Sequence, residues 1–163
     1  MARTDYKTSI VPSILDRLLD DAPAISQEPI VNQFQNVRGL ERVVARDLEA
    51  LLNARQETLK ELPSEFTEVN GSLITYGLPD LTSFSVDIDD DRNRIRRILE
   101  QVINTFEPRL ARVHVTLESP RAHDRGLRFS INALLRVDPA PEPVRFDAVL
   151  QVNTQQYTVK GPD

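Results

Sequence analysis

Residues 94–118, RIRRILEQVINTFEPRLARVHVTLE, hold the change of pattern that decides the fold. Ile95, Ile98, Leu99, Val102, Ile103 and Phe106 recur three and four apart, which predicts a helix from Asp90 to Phe106. Val113, Val115 and Leu117 then alternate with His114, Thr116 and Glu118, the period of a half-buried strand. Glu107-Pro108-Arg109 lies between the two patterns. Pro108 disfavours helical backbone just before it, so the helix stops and leaves two opposite charges at a corner. An arginine can grip a carboxylate through paired hydrogen bonds. Such a corner either locks the chain internally or clamps a partner, and the residues alone leave both open.

Downstream the strand period continues. Leu127, Phe129, Ile131, Ala133, Leu135 and Val137 alternate with polar residues, as do Val144, Phe146, Ala148 and Leu150. Pro139, Pro141 and Pro143 predict a stiff loop before the third strand. Asn153-Thr154 leads into a last polar strand, Gln155 to Lys160, whose only apolar residues are Tyr157 and Val159. Connections this short favour antiparallel neighbours. The last strand belongs at an edge, where unpaired backbone groups can be completed by another chain. Gln155, Gln156 and Lys160 could equally discourage such pairing.

Upstream the chain reads as helices and loops. Pro12 opens a short helix ending by Asp20, and residues 22–35 read as a linker. Residues 1–35 are thus expected to form an N-terminal arm, and residues 36–163 a single α+β domain, its N-terminal helices packed on a four-stranded antiparallel sheet. Asn36 to Arg55 is the clearest helix, with Leu40, Val43, Val44, Leu48, Leu51 and Leu52 on one face. That stripe is either core or an adaptor's docking face. Glu57 to Lys60 can extend the helix until Pro63, and Asn70-Gly71 signals a turn. In Tyr76-Gly77-Leu78-Pro79, Gly77 allows positive φ, and Tyr76 and Leu78 read as anchors.

Composition narrows the chemistry. The chain has 163 residues, a net charge of -5 and no cysteine. That size suits one domain, the charge argues against nucleic acid as the main partner, and thiolate chemistry is excluded. The N-terminal MARTDYKTSI lacks the apolar core of a secretory signal, and no apolar run is long enough to span a bilayer, so the expected location is the cytoplasm. Asp87-Ile88-Asp89-Asp90-Asp91 tempts a calcium reading, but the sixth and twelfth loop positions hold Arg92 and Ile98 in place of glycine and glutamate. Carboxylates at a helix start need only the helix dipole. Arg92, Arg94, Arg96 and Arg97 could bind phosphate, but the aspartates upstream can answer them. His114 and His123 have no partner at metal-ligand spacing. Glu107 is the best single candidate for a glycosidase acid, yet Arg109 stands two residues away and no second carboxylate is tied to it by spacing. No metal, cofactor or catalytic residue is expected.

Four segments carry a resemblance: Pro12-Ser13-Ile14-Leu15-Asp16-Arg17-Leu18, Arg46-Asp47-Leu48-Glu49-Ala50-Leu51-Leu52-Asn53-Ala54-Arg55, Tyr76-Gly77-Leu78-Pro79-Asp80 and Phe106-Glu107-Pro108-Arg109-Leu110. In this order the chain resembles the TssE family of type VI secretion baseplate subunits, themselves similar to wedge proteins of contractile phage tails. Ala54 departs from the threonine frequent in that family. The resemblance implies a structural role beside TssF, TssG and TssK, with Glu107, Pro108 and Arg109 binding the wedge core bundle. It further implies that the C-terminal sheet offers strands to the first ring of sheath proteins, TssB and TssC, with Gln155, Tyr157 and Val159 as the expected contacts. The phage relatives were once labelled lysozyme-like, which supplies the rival reading of a cell-wall glycoside hydrolase with Glu107 as acid.

Overall fold

The computed structural model describes residues 37–56, 68–69, 72–118, 126–151 and 156–161. Helix α1 (Val37–Asn53) and helix α2 (Asp89–Phe106) precede four strands, β1 (Leu110–Leu117), β2 (Gly126–Leu135), β3 (Glu142–Gln151) and β4 (Gln156–Lys160). The strands form one antiparallel sheet in the order β1-β2-β3-β4. This is the expected α+β architecture. The arm and linker of residues 1–35, the Glu57–Lys60 extension, Pro63, Asn70-Gly71, His123, Asn153-Thr154 and Gln155 lie outside the described residues.

Each element buries the face its period marks. Val44, Leu48, Leu51 and Leu52 of α1 meet Ile95, Leu99, Val102 and Ile103 of α2 and the apolar sheet face, where Phe129, Ile131 and Phe146 are fully enclosed. The α1 stripe is therefore core, which overturns the adaptor reading of that helix. Helix α1 lies against β4 and α2 against β1. Three aspartates, Asp89, Asp90 and Asp91, fill the first turn of α2, and Asp91 Oδ2 accepts from the Ser85 N–H at 2.9 Å. They serve the helix start, as the dipole requires.

Two strands differ from the sequence expectation. Strand β1 begins at Leu110, not Val113. Its register slips between Ala111 and His114, so an extra residue enters opposite β2, and Arg112 takes φ of 52° there. The bulge shifts the alternation by one and lets Leu110 and Val115 both face the core. Pro143, expected in a loop, lies inside β3 opposite Leu134. Strand β4 pairs with β3 only from Asp147 onward, so Pro143 stands where β3 is itself an edge, a place proline tolerates.

Candidate functional site

The corner is built where α2 ends. Glu107 follows the last helical turn, and its N–H donates to the Ile103 carbonyl at 2.9 Å. Its carboxylate is buried, at 4% exposure. Glu107 Oε1 accepts from Arg109 Nε at 2.6 Å and from the Arg109 N–H at 3.2 Å, and Oε2 accepts from Arg109 Nη2. This is the internal lock.

The structure adds a third member that spacing could not supply. Asp47, on α1, accepts from Arg109 Nη2 at 2.7 Å through Oδ2. Its other oxygen accepts from Arg46 Nε at 3.0 Å and Nη2 at 2.8 Å. One guanidinium thus joins the end of α2 to the middle of α1. Burial opposes the charge on Arg109, but the bonds to Glu107 and Asp47 outweigh it and push its pKa further up. Arg109 stays a permanent cation. The sequence signals for Asp47 were its place on the polar side of α1 and within the Arg46–Arg55 segment of the resemblance, and neither pointed to Arg109.

Tyr76 completes the corner. Its ring meets Phe106 edge to face, with centroids 5.3 Å apart. Burial raises its pKa first, and the charges of Asp47 and Glu107 raise it further. The loop that delivers Tyr76 is held at Gly77-Leu78. The Leu78 N–H donates to the Ala54 carbonyl at 2.8 Å, and the Gln56 N–H to the Leu78 carbonyl at 2.8 Å. Leu78 is buried and Tyr76 half-buried, as anchors should be. Outward, the corner shows Pro108, which is exposed, and an Arg109 side chain 28% exposed. Leu73 and Ile74, in the 3-10 turn just before Tyr76, are exposed at 88% and 54%.

The other expected contacts sit far along the chain from this corner. Tyr157 and Val159 lie on β4 with their side chains in the core. Three of their outward backbone groups are already bonded: Asn53 accepts from the Tyr157 N–H at 2.8 Å and donates to its carbonyl at 2.9 Å, and Glu49 Oε2 accepts from the Val159 N–H at 2.9 Å. Of the α2 arginines, Arg96 pairs with Glu100 and Arg92 donates to the Leu117 and Glu118 carbonyls. His114 is exposed, with Nδ1 3.1 Å from Glu100.

Among the described residues no group of three or more His, Asp and Glu could hold a metal ion, and no helix is long and apolar enough to cross a membrane. A family model described as baseplate wedge protein gp25 matches residues 38–140, more than half of the chain. That span includes Asp47, Tyr76, Glu107 and Arg109. No curated protein matches the chain.

Proposed function

From the premise that this chain belongs to the baseplate wedge protein gp25 family, we propose that it is the small baseplate subunit of a type VI secretion system, a structural part and not an enzyme. It joins the wedge core formed with TssF, TssG and TssK through Glu107, Pro108 and Arg109. It starts the contractile sheath of TssB and TssC through its C-terminal strands. It works from the cytoplasm.

The observation that carries this reading is the form of the corner. Glu107 and Asp47 hold one side of the Arg109 guanidinium, while Pro108 and the rest of that guanidinium face outward. A pre-set arginine beside an exposed proline suits a protein partner. The hydrolase reading draws no support from the same geometry. Both Glu107 oxygens accept from Arg109, as does one of Asp47, so these carboxylates face an arginine and not a sugar-sized cleft.

Affinity capture of the tagged chain from cytoplasm tests the proposal. Wild type should bring down wedge and sheath proteins, and Arg109→Ala should lose the wedge proteins while keeping its helical and strand signature. Arg109→Ala that still captures the wedge and assembles sheath sinks the corner's role. Sugar release from cell-wall polymer, abolished by Glu107→Gln, would install the hydrolase instead.

A further inference from the structure

The 3-10 turn that delivers Tyr76, Leu73–Thr75, is fixed from inside. Ser72 caps it: its hydroxyl accepts from the Ile74 N–H at 3.3 Å and donates to the Val69 carbonyl at 2.8 Å. Thr75 is buried, and its hydroxyl lies 3.1 Å from both the Val69 and the Ser72 carbonyls. The Thr75 N–H donates to the Ser72 carbonyl at 3.1 Å, and the Tyr76 N–H to the Leu73 carbonyl at 3.3 Å. Beyond Tyr76, Leu78 is fastened to Ala54 and Gln56, just past the end of α1. The ordering that a binding anchor requires is therefore already met in the free chain.

What the turn carries is left open. A single exposed leucine needs no explanation. Here two of the three large hydrophobics exposed among the described residues, Leu73 and Ile74, stand side by side, and the third is Ile88. The hydroxyl of the half-buried Tyr76 has no hydrogen-bond partner among the described residues.

The turn is also joined to the charged corner. The Tyr76 ring packs on Phe106, the residue before Glu107. Burial raises the Tyr76 pKa and the charges of Asp47 and Glu107 add to it, so both carboxylates lie close to the phenol. Both are the ones that grip Arg109. A 3-10 turn rises about 2 Å per residue, which keeps the Leu73 Cα about 6 Å from that of Tyr76. Ile88, just before α2, stands about 27 Å from Phe106 along that helix.

We propose that the Leu73–Tyr76 turn and the corner form one docking surface, for a partner segment that carries an acidic side chain beside apolar ones. Leu73 and Ile74 pack on the apolar residues, while the Tyr76 hydroxyl and the outward side of Arg109 donate to the carboxylate. Apolar anchors beside a tyrosine and a fixed arginine have the composition of an interface core. This rests on the assembly reading above and extends its wedge contact beyond Glu107, Pro108 and Arg109.

Titration of the full chain with the wedge proteins tests it. Leu73→Ser with Ile74→Ser should weaken binding at least about tenfold, the worth of burying one large apolar side chain. Tyr76→Phe keeps the ring on Phe106 and should weaken binding about tenfold, the worth of one hydrogen bond to a charge. Ile88→Ser shortens an isoleucine as exposed as Ile74 and should leave binding unchanged. None of the three should lower the melting temperature. Wild-type affinity in the Leu73/Ile74 variant or in Tyr76→Phe overturns the inference, as does an equal loss in Ile88→Ser; if Arg109→Ala still abolishes binding, the assembly reading stands without it. A lower melting temperature of the Leu73/Ile74 variant would give the turn to the chain's own packing. A wild-type dimer that this variant loses in sedimentation would give it to a second copy. Either result overturns the inference. A wild-type chain that binds no wedge protein removes the assembly reading and the inference together.

Discussion

Asp47 and Arg109 stand 62 residues apart in the chain and 2.7 Å apart in the fold. Through this one bond the corner that ends α2 is also fastened to α1. The same guanidinium holds the buried Glu107, so the two carboxylates have unequal weights. Asp47 is partly exposed and Glu107 is not.

Asp47→Ala should therefore cost about 0.5 to 1 kcal/mol, the scale of a part-exposed ion pair. Glu107→Gln removes a buried charge from its cation and should cost about 2 to 3 kcal/mol. Urea unfolding of the two variants measures both. Asp47→Ala should nonetheless weaken wedge capture, because it unfastens the Arg109 corner from α1 while Glu107 still grips the guanidinium.

Asn53→Ala leaves the Tyr157 N–H and carbonyl without their partner. It should cost about 1 to 2 kcal/mol. Hydrogen exchange should quicken at the Tyr157 amide, while the β2–β3 ladder keeps its protection. Unchanged exchange at Tyr157 would mean that Asn53 does not hold this edge in solution.

Gly77 has φ of 109°, and a Cβ there would stand 2.4 Å from the Ala54 carbonyl oxygen. Gly77→Ala meets both backbone strain and a backbone clash, so a loss of at least about 2 kcal/mol is expected. The thermal midpoint should fall, and Tyr76 should lose its edge contact with Phe106, read as a change in near-ultraviolet dichroism.

Burial pushes the Tyr157 phenol up to about 12. Unfolded, it ionises near 10. The raised value leaves stability intact below pH 10 and withdraws it as pH rises towards 12, because only the unfolded state releases the proton there. The loss is on the order of 2 to 3 kcal/mol. Alkaline unfolding curves should show it, and Tyr157→Phe should flatten that part of the profile.

Much of the fold was legible because it rests on local period. The α2 stripe from Ile95 to Phe106 and the alternation of Leu127 to Leu135 need only neighbouring residues to declare themselves. The stop at Pro108 was readable for the same reason, and so was the Glu107–Arg109 pair, two residues apart. The start of β1 was not. Leu110 breaks the alternation of Val113 and Val115, and only the bulge at Arg112 reconciles them.

The order of elements, the charged corner and the apolar faces thus followed from the sequence alone, through backbone sterics and periodicity. Tertiary packing decided which residues meet across long separations. It brought Asp47 to Arg109 and set Asn53 against Tyr157 across 104 residues. Those choices depend on where each helix comes to lie against the sheet, a property of the whole core that no single stretch of chain encodes.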